Sequence, residues 1–201
     1  ASKLGRNTNA SPPTVSNTNV AGLRDETIIT TSADGRTATQ SYISNGSVQI
    51  RQTYTRDIAE NGTVVEVLSN TDALDALLNQ STRTTSANGL SVVVSTDQDG
   101  DEDTDYARSA ITTMNPDGGR TKTVEWTNAS GLINRTVTTV SGNGLSTTTK
   151  VDRDGNNVFD LTQKATKSLG QDGSVTDNLK TKSENGTEIS SSVTTISGDQ
   201  R

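Results

Sequence analysis

The densest chemistry in the chain lies in nine residues, Asp97-Gln98-Asp99-Gly100-Asp101-Glu102-Asp103-Thr104-Asp105, with an aspartate at every second position. Alternate carboxylates around a glycine let a tight loop turn several oxygens onto one point, as a hard cation with six to eight oxygen ligands requires. Calcium is the natural candidate. The pattern D-x-D-G-[DN]-x-x-x-D returns at Asp152-Arg153-Asp154-Gly155-Asn156-Asn157-Val158-Phe159-Asp160. The candidate metal ligands are Asp97, Asp99, Asp101, Asp103 and Asp105 in the first loop, and Asp152, Asp154, Asn156 and Asp160 in the second. Five aspartates so close repel one another unless a cation sits among them, which favours the first loop. Neither loop is an EF-hand, because glycine stands at the fourth position and the twelfth residue from Asp97 is Arg108 where a bidentate glutamate is needed. Asp-Gly is also simply a hairpin turn.

Little other chemistry is available. The chain has no His and no Cys, so the commonest general base, thiolate nucleophiles, imidazole and thiolate metal sites and disulfides are all absent. Its serines have no His partner and its lysines lie beside threonines on polar stretches; no enzyme is expected. A net charge of -6 with scattered Lys and Arg offers no basic stripe for nucleic acid. No apolar run is long enough for membrane insertion. Tyr106 and Phe159 flank the acidic loops and Trp126 is the single Trp; isolated aromatics read as cross-strand packing.

The elements that must position these loops follow from composition and repetition. Hydrophobic residues make up 28% of the 201 and aromatics 2%, while 35 Thr and 23 Ser fill much of the remainder. That is too little for a thick core, yet Thr is at home in strands. TTSADGRT at 30–37, TTSANGLS at 84–91 and TVSGNGLS at 139–146 are versions of one segment, a repeat of about 55 residues. Asp-Gly or Asn-Gly marks nearly every turn, from Asp34-Gly35 to Asn185-Gly186, and these pairs accept the positive φ of tight hairpins. Runs such as Val64-Val65-Glu66-Val67 and Val92-Val93-Val94 between them read as strands. Only Asp72–Leu78 reads as helical, and Leu23, Leu77 and Leu132 read as one recurring core position.

The expected fold is all-β: an elongated tandem-repeat β-hairpin meander or β-solenoid-like ribbon without a thick core. Residues 1–16 are expected to be a linker or degenerate repeat end, with repeats at 17–69, 70–126 and 127–181 and a truncated fourth at 182–201. A chain stopping within a repeat reads as a window on a longer array.

TTSADGRT, TTSANGLS and DRDGNNVFD resemble the Asp-Gly-rich tandem repeats of large type I-secreted bacterial surface proteins, the RTX-adhesin-like class, over roughly 17–201. The resemblance implies a calcium-dependent extracellular or cell-surface protein, although the G-G-x-G-x-D nonapeptide array of that class is absent. The expected function is structural: a fibre, adhesin stalk or biofilm-matrix filament, stiffened by calcium and self-associating through β edges with neighbouring copies or repeats. The alternative is a calcium-regulated module binding polysaccharide or a host surface.

Overall fold

The computed structural model describes residues 14–18 and 24–200, and the side chains of 25–199. Fourteen strands and one short 3-10 turn lie among the described residues. Two compact units divide the chain: Ala1–Ala87 with Val94–Asp105, and Asn88–Val93 with Tyr106–Arg201.

The first unit holds β1 (Thr14–Thr18), β2 (Arg24–Thr31), β3 (Thr37–Ser44), β4 (Ser47–Ile58), β5 (Val64–Asp72) and β6 (Leu77–Thr85), each antiparallel to its chain neighbour. The last four residues of β7 (Ser91–Asp97) belong to it, the first three to the second unit. The second unit continues with β8 (Tyr106–Met114), β9 (Arg120–Asn128), β10 (Gly131–Val140), β11 (Ser146–Asp152), β12 (Leu161–Leu169), β13 (Val175–Ser183) and β14 (Glu188–Ile196). From β8 to β14 these are again antiparallel in chain order. Among the described residues β1 pairs only with β2 and β14 only with β13, so the sheet does not close into a barrel. The protein is an all-β meander.

One sequence period spans four strands: β2–β5, then β6–β9, then β10–β13, with β14 opening the next. Where later periods carry a nine-residue acidic segment, the first has only the hairpin Asn45-Gly46 between Ser44 and Ser47, and β4 runs to 12 residues. Both Asn45 and Gly46 take positive φ there, 51° and 79°. Outside the two acidic loops, the other described Asp-Gly and Asn-Gly turns work differently from the tight hairpins expected. Only the glycine is left-handed, and the residue before it uses its side-chain oxygen to accept the N–H two residues on. Asp34 does so for Arg36 at 3.0 Å, Asn61 for Thr63 at 2.9 Å, Asn143 for Leu145 at 3.0 Å and Asp172 for Ser174 at 3.0 Å. A type I turn closed by a glycine in the left-handed region is the resulting loop.

No hydrophobic side chain is buried among the described residues. Leu77 and Leu132 are half-buried, so they do not form a recurring core position, and Leu23 lies outside the described residues. Cross-strand polar pairs take the place of a core. Gln52, Asn70 and Asn79 form an amide ladder across β4, β5 and β6, with bonds of 3.1 and 2.8 Å. On the same three strands Glu66 accepts from the Tyr54 hydroxyl at 2.8 Å and from Arg83 at 2.9 Å. The Tyr54 bond, then Arg83, holds the Glu66 carboxyl below the usual range, and the same bond pushes the Tyr54 hydroxyl up. In the second unit threonine hydroxyls meet across strands, Thr121 with Thr139 at 3.1 Å and Thr138 with Thr149 at 3.4 Å.

Asp72–Leu78 is not helical. Asp72 ends β5, its carboxylate accepts from the N–H groups of Leu74 at 2.8 Å and Ala76 at 2.9 Å, and Leu77 opens β6. An aspartate that satisfies its own following backbone offers the chain a turn in competition with a helix, and Leu74, 87% exposed, has nothing to pack on.

Candidate metal centres

The two acidic loops join β7 to β8 and β11 to β12, and each begins on the last residue of a strand, Asp97 or Asp152. These are the only buried side chains among the described residues, Asp97 at 8% exposure and Asp152 at 0%. Burying a carboxylate is costly unless its oxygens are matched by donors, and the loops supply them. Asp97 Oδ1 accepts from the N–H of Asp99 at 3.2 Å and of Gly100 at 2.6 Å, and Oδ2 from Glu102 at 3.1 Å. Asp152 repeats the design, with Gly155 at 2.8 Å on Oδ1 and Asn157 at 3.0 Å on Oδ2. From the far end, Asp105 accepts from Gln98 N–H, and Asp160 from Arg153 N–H, each at 2.7 Å.

To wrap around one carboxylate the backbone turns left-handed twice in each loop. Gly100 and Glu102 have φ of 80° and 73°, and Gly155 and Asn157 have 73° in the glycine and 69° in the asparagine. Each loop glycine also lies flat on a neighbouring strand: a Cβ on Gly100 would collide with the Leu77 carbonyl, and one on Gly155 with that of Leu132.

The result brings together one carboxylate oxygen each from Asp97, Asp99 and Asp105 within 4.8 Å of one another, and likewise from Asp152, Asp154 and Asp160. Asp101 and Asp103 are not part of the first cluster. Asp101 accepts from Asp103 N–H at 2.9 Å, and Asn156 accepts from Val158 N–H at 2.7 Å while donating to Asp154 at 3.2 Å. A carboxylate offers about four acceptor sites and, among the described residues, none of these carboxylates accepts more than three hydrogen bonds, so three carboxylates could hold a cation whose remaining ligands are water. As drawn from the residues alone, this is the donor set of a hard cation.

The loops differ in their counter-charge. Among the described residues, Asp97, Asp99, Asp101, Glu102, Asp103 and Asp105 form no ion pair with Lys or Arg. Beside the second loop stands Arg135 of β10, its Nη2 3.8 Å from Asp152 Oδ2 and donating to the Asn157 carbonyl at 3.4 Å. Its guanidinium lies 4.9 Å from the centre of the Phe159 ring, which also receives Lys150 at 5.5 Å. One period earlier Gln80 occupies the place of Arg135, lining a cleft with Asp97. Motif reading within the loops overlooks Arg135; aligning β6 with β10 would expose the Gln-to-Arg difference.

No protein-family model matches the chain, and no curated protein matches it. Its residues and geometry are therefore the whole basis for a functional reading.

Proposed function

We propose that the chain is a structural segment of an extracellular repeat protein, a fibre, adhesin stalk or matrix filament, whose acidic loops are stiffened by calcium. The observation that carries this reading is the combination of long antiparallel strands in chain order with the lack of any buried hydrophobic side chain among the described residues. Ladder hydrogen bonds and cross-strand pairs extend with every added strand, so stability resides in neighbour-to-neighbour terms and not in an enclosed core. Such a fold supplies repetition and reach. Its partners are further copies or repeats of the same kind.

Calcium is supported by the convergence of Asp97, Asp99 and Asp105 in a loop that, among the described residues, pairs with no Lys or Arg. Three carboxylates already shared with backbone N–H groups make a weak site, of the class that fills at the millimolar calcium found outside cells. The Asp-Gly repeat resemblance points to the same surroundings.

Modularity is the test. Deleting Gly131–Asn185, one full period, joins Ser130 to Gly186 and places β14 beside β9 where β10 had been. The shortened protein is expected to keep a β-sheet circular dichroism spectrum and a cooperative melt. Loss of the β spectrum would show an integrated domain and overturn the repeat reading.

A further inference from the structure

The edge of β14 is presented as a copy of the edge of β10, and β10 shows what covers it. Val137-Thr138-Thr139-Val140-Ser141-Gly142 of β10 and its exit turn return as Val193-Thr194-Thr195-Ile196-Ser197-Gly198. The register returns with the sequence: Thr139 pairs with Thr121 on β9, and Thr195 with Thr176 on β13. Their hydroxyls meet at 3.1 Å in the first pair and 3.0 Å in the second. The exit turns are seated alike, since a Cβ on Gly142 would strike the Asp117 carbonyl and one on Gly198 that of Asp172. In both, a serine hydroxyl holds the side chain two residues on, Ser141 with Asn143 at 2.7 Å, and Ser197 with Asp199, whose carboxyl is thereby lowered.

On its other side β10 carries β11, with Val137 opposite Lys150, Thr138 opposite Thr149, Thr139 opposite Thr148 and Val140 opposite Thr147. Among the described residues the corresponding side of β14 has no strand, and all nine of its residues are exposed. Nothing in β14 discourages pairing, for it contains no Lys, Arg or Pro and its only charge is Glu188. We infer that β14 is a strand-accepting edge, and that its occupant is an extended strand of the β11 type, Ser-Thr-Thr-Thr-Lys-Val-Asp, the second strand of a further repeat. Recognition would be β-augmentation, with main-chain hydrogen bonds supplying affinity and the alternating Thr pairs setting register. The aligned register places Thr147, Thr148, Thr149 and Lys150 of such a strand opposite Ile196, Thr195, Thr194 and Val193. This rests on the repeat reading above and gives it a specific joint.

The test is a titration of the full chain with a fluorescent peptide, Leu-Ser-Thr-Thr-Thr-Lys-Val-Asp-Arg, the sequence of residues 145–153. Saturable binding is expected, absent with a scrambled peptide. Because alternate residues of a strand turn their N–H groups to opposite sides, N-methylation along the peptide should weaken binding about tenfold or more at every second residue and little between. A chain lengthened after Arg201 by Ser-Thr-Thr-Thr-Lys-Val-Asp carries the strand in cis and in phase. It should refuse the peptide, and the amides of Glu188–Ile196 should become slow to exchange. No saturable binding, binding without the alternation, or dimers joined through β14 that the peptide does not dissociate would each overturn the proposal. Hydrogen exchange of β10 and β11 separates this from failure of the repeat reading: protected amides there with no peptide binding remove only the edge, whereas unprotected amides remove the array itself.

Discussion

Asp99→Asn is expected to strengthen the first acidic loop without calcium and to abolish its response to calcium. Asp99 is exposed and its backbone bond, from Asp101 N–H at 3.4 Å, is the weakest in the loop, so an amide leaves the frame built on Asp97 intact. In chelator the substitution removes two like-charge pairs, with Asp97 and with Asp105, whose oxygens lie within 4.8 Å. At the dielectric of water each such pair costs about 1 kcal/mol. The gain of about 2 kcal/mol corresponds to roughly thirtyfold slower exchange of the amides of Gln98, Gly100 and Glu102 if they exchange by opening of the loop. Calcium at about a hundred times its dissociation constant adds about 2.7 kcal/mol to the unsubstituted loop, roughly a hundredfold in protection. Asp99→Asn, with one ligand and one charge gone, should gain little from calcium, so the ranking of the two proteins reverses between chelator and calcium. Hydrogen exchange with mass spectrometry on peptides spanning 94–106 reads both arms. Faster exchange of the variant in chelator would refute the repulsion argument, and an unsubstituted loop indifferent to millimolar calcium would refute the metal site.

Arg135→Gln gives the second loop the residue found beside the first. Removing the cation next to wholly buried Asp152 should cost roughly 3 kcal/mol locally, seen as faster exchange over residues 153–160 in chelator; unchanged exchange would show that Arg135 only packs on Phe159. Gly100→Ala and Gly144→Ala both place an alanine at positive φ, costing about 1–2 kcal/mol, but only Gly100 also faces a carbonyl, that of Leu77. Urea unfolding should therefore show a clearly larger loss for Gly100→Ala, and equal losses would contradict the close approach. Glu66, with its carboxyl held low by Tyr54 and then Arg83, contributes stability that is full above the ordinary glutamate range and lost as pH falls through its lowered folded value. The melting-temperature difference between the unsubstituted protein and Glu66→Gln should be steady near neutral pH and shrink in acid; a difference that stayed constant from neutral pH into acid would contradict this.

The strand ladder was readable because Asp-Gly and Asn-Gly punctuate it and β-branched runs lie between them. What the dipeptides concealed was the turn type. Among the described Asp-Gly and Asn-Gly turns, Asn45-Gly46 is the one with both residues left-handed, and elsewhere the Asp or Asn works as a side-chain acceptor, a role that leaves the same letters in the sequence. Asp72-Ala73-Leu74-Asp75-Ala76-Leu77-Leu78 has helical spacing, but a turn already closed by Asp72 prevails where no packed face rewards a helix. In the acidic loops, spacing alone treats every second aspartate as equivalent. The left-handed turns at Gly100 and Glu102 break that alternation, drawing Asp97, Asp99 and Asp105 together while Asp101 turns to its own backbone. Arg135 could not be found within its loop's motif because it arrives from the neighbouring strand.

The acceptor role of the turn residue bears on how this protein ages. Asn-Gly is the dipeptide whose side-chain amide is most readily lost, by attack of the glycine nitrogen on the asparagine side chain, but in the turns at Asn61, Asn143 and Asn185 that nitrogen is held: Gly62 donates to the Ala59 carbonyl at 2.8 Å, and Gly144 and Gly186 to those of Ser141 and Ser183 at 2.9 Å. In each, the oxygen that holds the turn survives conversion to aspartate. The sheet already contains the product: Asp117 and Asp172 fill the place of Asn61 in later repeats, bonding the same N–H. With the cyclising nitrogen engaged, the route through a cyclic imide, which opens mainly to isoaspartate and a lengthened backbone, is hindered, so these turns resist the ageing that their dipeptides invite.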